Sequence, residues 1–202
     1  MNSCIRPSKK LKYIKTIGGV PVPKHYSKLL EQKVNSKTIY EGVVNFKVDT
    51  VRLINGAVST REYLQHPGAS AVLAVENGKV LLVEQYRYPV KKVMLEIPAG
   101  KLKRRQTPLS CAKAELKEET GYTAKNIKKL LTFNTSAAFA DENLHIFYAS
   151  GLKAGERHLD DDEFVNVKWL SLDKVFKLIK AGKITDSKTI IALLYYKAFL
   201  GK

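Results

Sequence analysis

The sequence predicts an α/β (α+β) protein, a mixed β-sheet sandwiched between helices with an N-terminal antiparallel β subdomain. Three observations carry this. Runs rich in β-branched residues follow one another from Thr38 onward. One sharply punctuated helix interrupts them near residues 108–120, and two further helical patterns close the chain.

The elements follow in order. Residues 1–36 are basic and weakly patterned and read as an arm with room for one short strand. "TIYEGVVNFKVDTVRL" is β in character, Asn55-Gly56 is a turn, and "STREYLQH" is the next strand. His66, before Pro67, reads as a turn residue without a catalytic role. In "SAVLAVENGKVLLVEQYRYP" the pair Asn77-Gly78 joins two apolar runs, a hairpin signal because a type I′ turn needs positive φ at both central residues. The strand "VMLEIPAG" leads to the helix, with Thr107 as N-cap, Pro108 at the first position and Gly121 beyond the end. Leu109, Ala112 and Leu116 give its expected buried stripe. Strands near 128–134 and 143–149 come next, then the acidic loop "ERHLDDDEF", the strand "FVNVKWLS", and helices from Leu172 to Ala181 and from Asp186 to Leu200. The domain reading is an arm at 1–36, N-terminal strands at 37–68 and a main domain at 69–202.

Composition narrows the classes. The chain has 202 residues, 45% of them hydrophobic, which suits one domain with an appended arm. No apolar run approaches the ~20 residues of a membrane helix, and "MNSCIRPSKKLKYIK" has no apolar stretch before a small-residue cleavage site, so neither a membrane partner nor a secretory signal is expected. Cys4 and Cys111 lie in no metal-type spacing, the pattern of a reduced, cytoplasmic protein. With 35 Lys+Arg against 19 Asp+Glu the net charge is +16, which favours anionic partners such as nucleotides, phosphosugars or nucleic acid.

Three glutamates, Glu115, Glu118 and Glu119, share one face of the helix at i, i+3, i+4 spacing, on the side away from the apolar stripe. Adjacent carboxylates repel unless solvated, paired or bound to a cation. Alone they read as a salt-bridged surface with Lys113 and Lys117. If they bind a metal, hard oxygen ligands suit Mg²⁺ or Mn²⁺ rather than zinc.

The stretch "AGKLKRRQTPLSCAKAELKEETGY" resembles the Nudix box, G-x5-E-x7-R-E-U-x-E-E-x-G-U with U apolar. Gly100, Glu115, Leu116, Glu118, Glu119, Gly121 and Tyr122 match in register. Gln106 stands at the first glutamate position and Ala114 at the arginine position. "STREYLQHPGASAVLAV", "LLVEQYRYPV", "EIPAGKL", "FADE" and "DDDEFVNVKWLSL" extend the likeness over roughly residues 38 to 200 and resemble the ADP-ribose pyrophosphatase branch of the Nudix hydrolases.

The resemblance implies a Mg²⁺- or Mn²⁺-dependent pyrophosphatase acting on ADP-ribose or a related nucleoside diphosphate sugar. It implies metal ligation by Glu115, Glu119, Glu118 and the Ala99 carbonyl. It implies a general base from the acidic loop, Glu163 or, if that loop aligns differently, Asp161. Substrate contacts carry over as Arg61, Arg87 and Glu96. Arginine forks bind diphosphates by paired, charge-assisted hydrogen bonds. In that branch the N-terminal strands exchange between subunits, so the resemblance implies a homodimer with Arg61 reaching the partner's site. Tyr86, Tyr88 and Trp169 read as core or dimer packing before base stacking.

The paired loss at 106 and 114 reads as compensation, since neither partner is left stranded, and implies reduced activity. Lys101, Lys103, Arg104 and Arg105 offer substitute positive charge. "TSAAF", with Ala137 and Ala138, replaces the branch's proline-containing turn and loosens the preference for ADP-ribose. The alternative is a catalytically weakened Nudix-fold binder of nucleotide sugars or nucleic acid.

Overall fold

The computed structural model describes residues 13–17, 20–23, 28–159, 161 and 163–200. Cys4 and the start of the arm, with Asp160 and Asp162 of the acidic loop, lie outside them. The chain divides into two compact units, Met1–Tyr63 and Leu64–Lys202.

In the first unit, β1 (Tyr13–Ile17) pairs antiparallel with β2 (Val20–Pro23). A three-stranded sheet takes the order β3 (Gln32–Tyr40), β4 (Asn45–Arg52), β5 (Val58–Gln65). Strand β3 starts ahead of the β pattern that begins at Thr38. Asn55-Gly56 makes the expected turn, with the Ala57 N–H donating to Asn55 Oδ1 at 3.0 Å and Gly56 at φ 88°.

In the second unit a seven-stranded mixed sheet carries the site. It comprises β6 (Ala69–Glu76), β7 (Lys79–Arg87), β8 (Lys92–Glu96), β9 (Ala99–Lys101), β10 (Tyr122–Asn134), β11 (Asn143–Ala154) and β12 (Val165–Ser171). The main path runs β10-β11-β6-β7-β12, with β8 beside β7 and β9 beside β6. Among the described residues β11 and β6 pair in parallel, and the other pairings of this sheet are antiparallel.

The β6–β7 hairpin turns on Asn77 and Gly78, at φ 49° and 71°, as a type I′ turn requires. Both faces of β6 are covered, so its residues read as a continuous apolar run. Ala69, Ala71, Leu73 and Val75 face one core layer with Val175, Ala192 and Leu193 from the C-terminal helices and Ile184 from the link between them. Val72 and Ala74 face the other, with Ala112 and Leu116. The helices are α1 (Pro108–Thr120), α2 (Leu172–Lys180) and α3 (Ser187–Phe199). Trp169 is a packing residue, its ring 5.6 Å from that of Tyr122 and its indole N–H donating to the Tyr122 hydroxyl at 3.2 Å. His66 lies in the short link between β5 and β6, its Nδ1 accepting from the Gly68 N–H at 3.0 Å. Among the described residues no helix is long and apolar enough to cross a membrane.

Candidate active site

Helix α1 begins where its residues dictate. The Thr107 side chain accepts from the Ser110 N–H at 3.2 Å and the Ser110 hydroxyl accepts from the Thr107 N–H at 3.1 Å, a capping box with serine in the usual Glu/Gln place. At the other end Gly121 takes φ 77° and its N–H bonds to the Lys117 carbonyl at 2.8 Å. A side chain there would meet the Gly155 carbonyl at 2.7 Å, so this glycine also admits the loop that follows β11.

The face that α1 buries differs from the expected stripe. Its buried residues are Cys111, Ala112, Glu115, Leu116, Glu119 and Thr120, while Leu109 is 40% exposed. Glu115 and Glu119 therefore face the protein, not water. The reason lies in strand β9, which offers Ala99 and Gly100 opposite them. A Cβ on Gly100 would fall 1.9 Å from Glu115 Oε1, so the absent side chain is the space the carboxylate fills. The Ala99 N–H donates to Glu119 Oε2 at 3.2 Å.

Burial pushes the Glu119 carboxyl up to about 8, helped by the negative charge of Glu115 and then of Glu163; the Ala99 hydrogen bond and the charge of Arg87 oppose this. The structure thus brings Glu115, Glu119, Ala99, Glu163 and Arg87 into one electrostatic neighbourhood. Glu163 is half-buried, while Asp161 is exposed in a turn. Glu118 is half-buried, and its backbone carbonyl accepts from the His158 N–H at 3.2 Å, tying the acidic loop to the end of α1. The Arg157 guanidinium fixes the far side of that loop by donating to the Val165 carbonyl at 2.8 Å.

Among the described residues no three His, Cys, Asp or Glu side chains are gathered closely enough to form a ready-made metal cage. A buried glutamate crowded by two other carboxylates still suits a hard divalent cation that completes its shell with water, a carbonyl and substrate oxygens.

Arg87 ends β7 and Glu96 ends β8. The Arg87 Nε and Nη2 donate to Glu96 Oε1 and Oε2 at 2.9 and 2.7 Å. Burial by itself would raise the Glu96 carboxyl, but the pairs with Arg87 and Lys188 outweigh it and hold the group below its usual range. The Glu96 side chain is 1% exposed. Its carboxylate is engaged by Arg87 and Lys188. Arg61, on β5 of the first unit, pairs there with Glu31. Lys188 and Thr189 carry no local sequence signal, whereas Asp186 is legible as a helix start.

The box departures have local accommodations. Gln106 Oε1 accepts from the Lys103 N–H at 2.9 Å and closes the loop before α1, in which Arg105 takes φ 64°. Ala114 is half-buried. Cys111 packs behind the strand against the Gly100 carbonyl at 3.5 Å, and burial pushes its thiol up to about 11, leaving it unreactive at neutral pH.

The NUDIX domain family matches residues 64–193. The chain belongs to the Nudix hydrolases. A methanol dehydrogenase activator from Bacillus methanolicus is 47% identical over 173 residues, spanning 83% of this chain and 94% of that protein. An ADP-ribose pyrophosphatase from Bacillus subtilis (strain 168) is 46% identical over 173 residues, with the same shares of 83% and 94%. A solved structure described as an ADP compounds hydrolase has a TM-score of 0.75 at 16% sequence identity, covering 84% of this chain and 94% of that one. At that identity it shows the fold: the mixed sheet between helices is the Nudix architecture.

Proposed function

We propose that this chain is a divalent-cation-dependent pyrophosphatase that hydrolyses ADP-ribose or a related nucleoside diphosphate sugar to a nucleoside monophosphate and a sugar phosphate. The observation that carries this is the burial of Glu115 and Glu119 against the side-chain-poor Ala99–Gly100 strand, with the charges of Glu163 and Arg87 acting on Glu119. The ADP-ribose pyrophosphatase and the GDP-mannose pyrophosphatases among the relatives support the substrate class.

Mg²⁺ or Mn²⁺ would be held by Glu115, Glu119 and the Ala99 carbonyl, with Glu118 close by. A cation there supplies charge neutralisation to the diphosphate and acidity to a water. Arg87 binds and orients the diphosphate through the donors that Glu96 does not use. Glu163 takes the proton of the attacking water as its oxygen bonds to phosphorus and the bridging P–O bond breaks, the second phosphate leaving with that bond's electron pair. Its bias of electrostatic contact over exposed Asp161 favours Glu163 as the base. The changes at Gln106 and Ala114 lower turnover without abolishing it.

A homodimer fits the exposed apolar surface of the N-terminal unit, where Val34 is 56%, Tyr40 66% and Val58 58% exposed. Arg61 then serves a substrate in the partner's site. A cytoplasmic setting fits the unreactive, unbridged Cys111. The test is release of AMP from ADP-ribose with Mg²⁺ or Mn²⁺, beside Glu119→Gln. Cation-dependent AMP lost in the variant supports the reading; no AMP from ADP-ribose and no GMP from GDP-mannose above the variant overturns it.

A further inference from the structure

Lys188 carries an ammonium that the reaction does not touch, yet its side chain is only 12% exposed. A lysine placed so deeply loses hydration that a surface position would keep. Among the described residues it has two carboxylate partners. The Nζ donates to Glu96 Oε2, the oxygen that also accepts from Arg87, and to Asp186 Oδ1 at 3.0 Å. Asp186 caps α3, accepting from the Thr189 N–H at 2.9 Å, and the Thr189 hydroxyl in turn accepts from the Ile97 N–H at 2.8 Å. One helix start is therefore tied both to the carboxylate behind Arg87 and to the backbone leading into Ala99.

We propose that Lys188 is a positioning residue for the diphosphate-binding fork of Arg87, acting through Glu96. This rests on the reading of Arg87 as a diphosphate contact. Two effects follow from the geometry. Glu96 is held by two cations that share its Oε2, Arg87 whose side chain is 38% exposed and the more deeply buried Lys188. With only the outer partner, the carboxylate and the fork would turn together. In addition, Lys188 takes up part of the charge of Glu96, so Arg87 is less neutralised and presents more positive potential to an anion. Asp186 balances the lysine on its other side.

The test combines kinetics with a readout that needs no turnover. Lys188→Met raises KM for ADP-ribose about 10-fold while kcat stays within about 3-fold. Lys188→Arg returns KM to within about 3-fold of the parent. Because Lys188 acts through the fork, Arg87→Ala with Lys188→Met has the KM of Arg87→Ala alone. In ¹⁵N spectra the Arg87 Nε–H signal, identified by its loss in Arg87→Lys, exchanges slowly in the parent and in Lys188→Arg and rapidly in Lys188→Met. Additive KM effects, a fall in kcat without rescue by arginine, or an unchanged Nε–H exchange in Lys188→Met would overturn the proposal. If the parent turns over no nucleotide sugar, or if Arg87→Ala leaves KM unchanged, the functional reading or its Arg87 contact fails, and the exchange rates still decide whether Lys188 holds the fork.

Discussion

Replacing Gly100 with alanine separates the fold from the chemistry. The added Cβ would stand 1.9 Å from Glu115 Oε1 and 2.1 Å from Cδ. Ordinary van der Waals contact begins at 3.4 Å, so the carboxylate must retreat by about 1.5 Å. A glutamate can do this by changing rotamers, because the conflict is with the end of a side chain and Gly100 does not need positive φ. The cost to stability is that of an off-rotamer or displaced carboxylate, about 1 kcal/mol. The cost to catalysis is much larger if Glu115 is a cation ligand, since a displacement of about 1 Å in a reacting constellation lowers the rate by about 10²-fold. Thermal unfolding in EDTA and AMP release against Mg²⁺ concentration measure the two separately. The expected outcome is a Tm within a few degrees of the parent, a much weakened Mg²⁺ dependence and a rate down about 100-fold. A variant that keeps the parent's rate and Mg²⁺ dependence would show that the carboxylate lying on Gly100 does not hold the cation.

Three further outcomes follow from the same geometry. Gln106→Glu together with Ala114→Arg raises the rate about 10-fold or more, while either alone does less, because a lone new charge has no partner; a double variant no faster than the parent would rule out the compensation argument. The metal-free protein loses stability as pH rises from about 4.5 to about 8, since folded Glu119 keeps its proton up to about 8 and the unfolded chain releases it near 4.5. That loss is at most about 5 kcal/mol, Mg²⁺ flattens it, and denaturant midpoints across this pH range in EDTA and in Mg²⁺ read it. Glu163→Gln lowers kcat about 100-fold or more and removes the acidic limb of the pH–rate profile, whereas Asp161→Asn stays within about 3-fold; the reverse order would move the base to Asp161.

Local chemistry made much of this fold legible. Asn77-Gly78 demanded its turn, and Thr107, Pro108 and Gly121 bounded α1 because each satisfies a backbone requirement of a helix end. Apolar periodicity failed on the inner face of α1. It counted Leu109 inside and the glutamates outside, since it cannot see that a strand of alanine and glycine leaves room for carboxylates. The Nudix resemblance supplied their role instead. The Lys188–Glu96 pair joins residues 92 positions apart and belongs to no local pattern. Only the docking of α3 on the sheet reveals it.

The measurement that bears most directly on the central claim is AMP formation from ADP-ribose at saturating Mg²⁺, by the parent and by Glu119→Gln under identical conditions. The account predicts steady AMP release by the parent, none in EDTA, and a fall of at least about 100-fold in the variant. Equal rates in the two proteins, or AMP release that persists in EDTA, would contradict it.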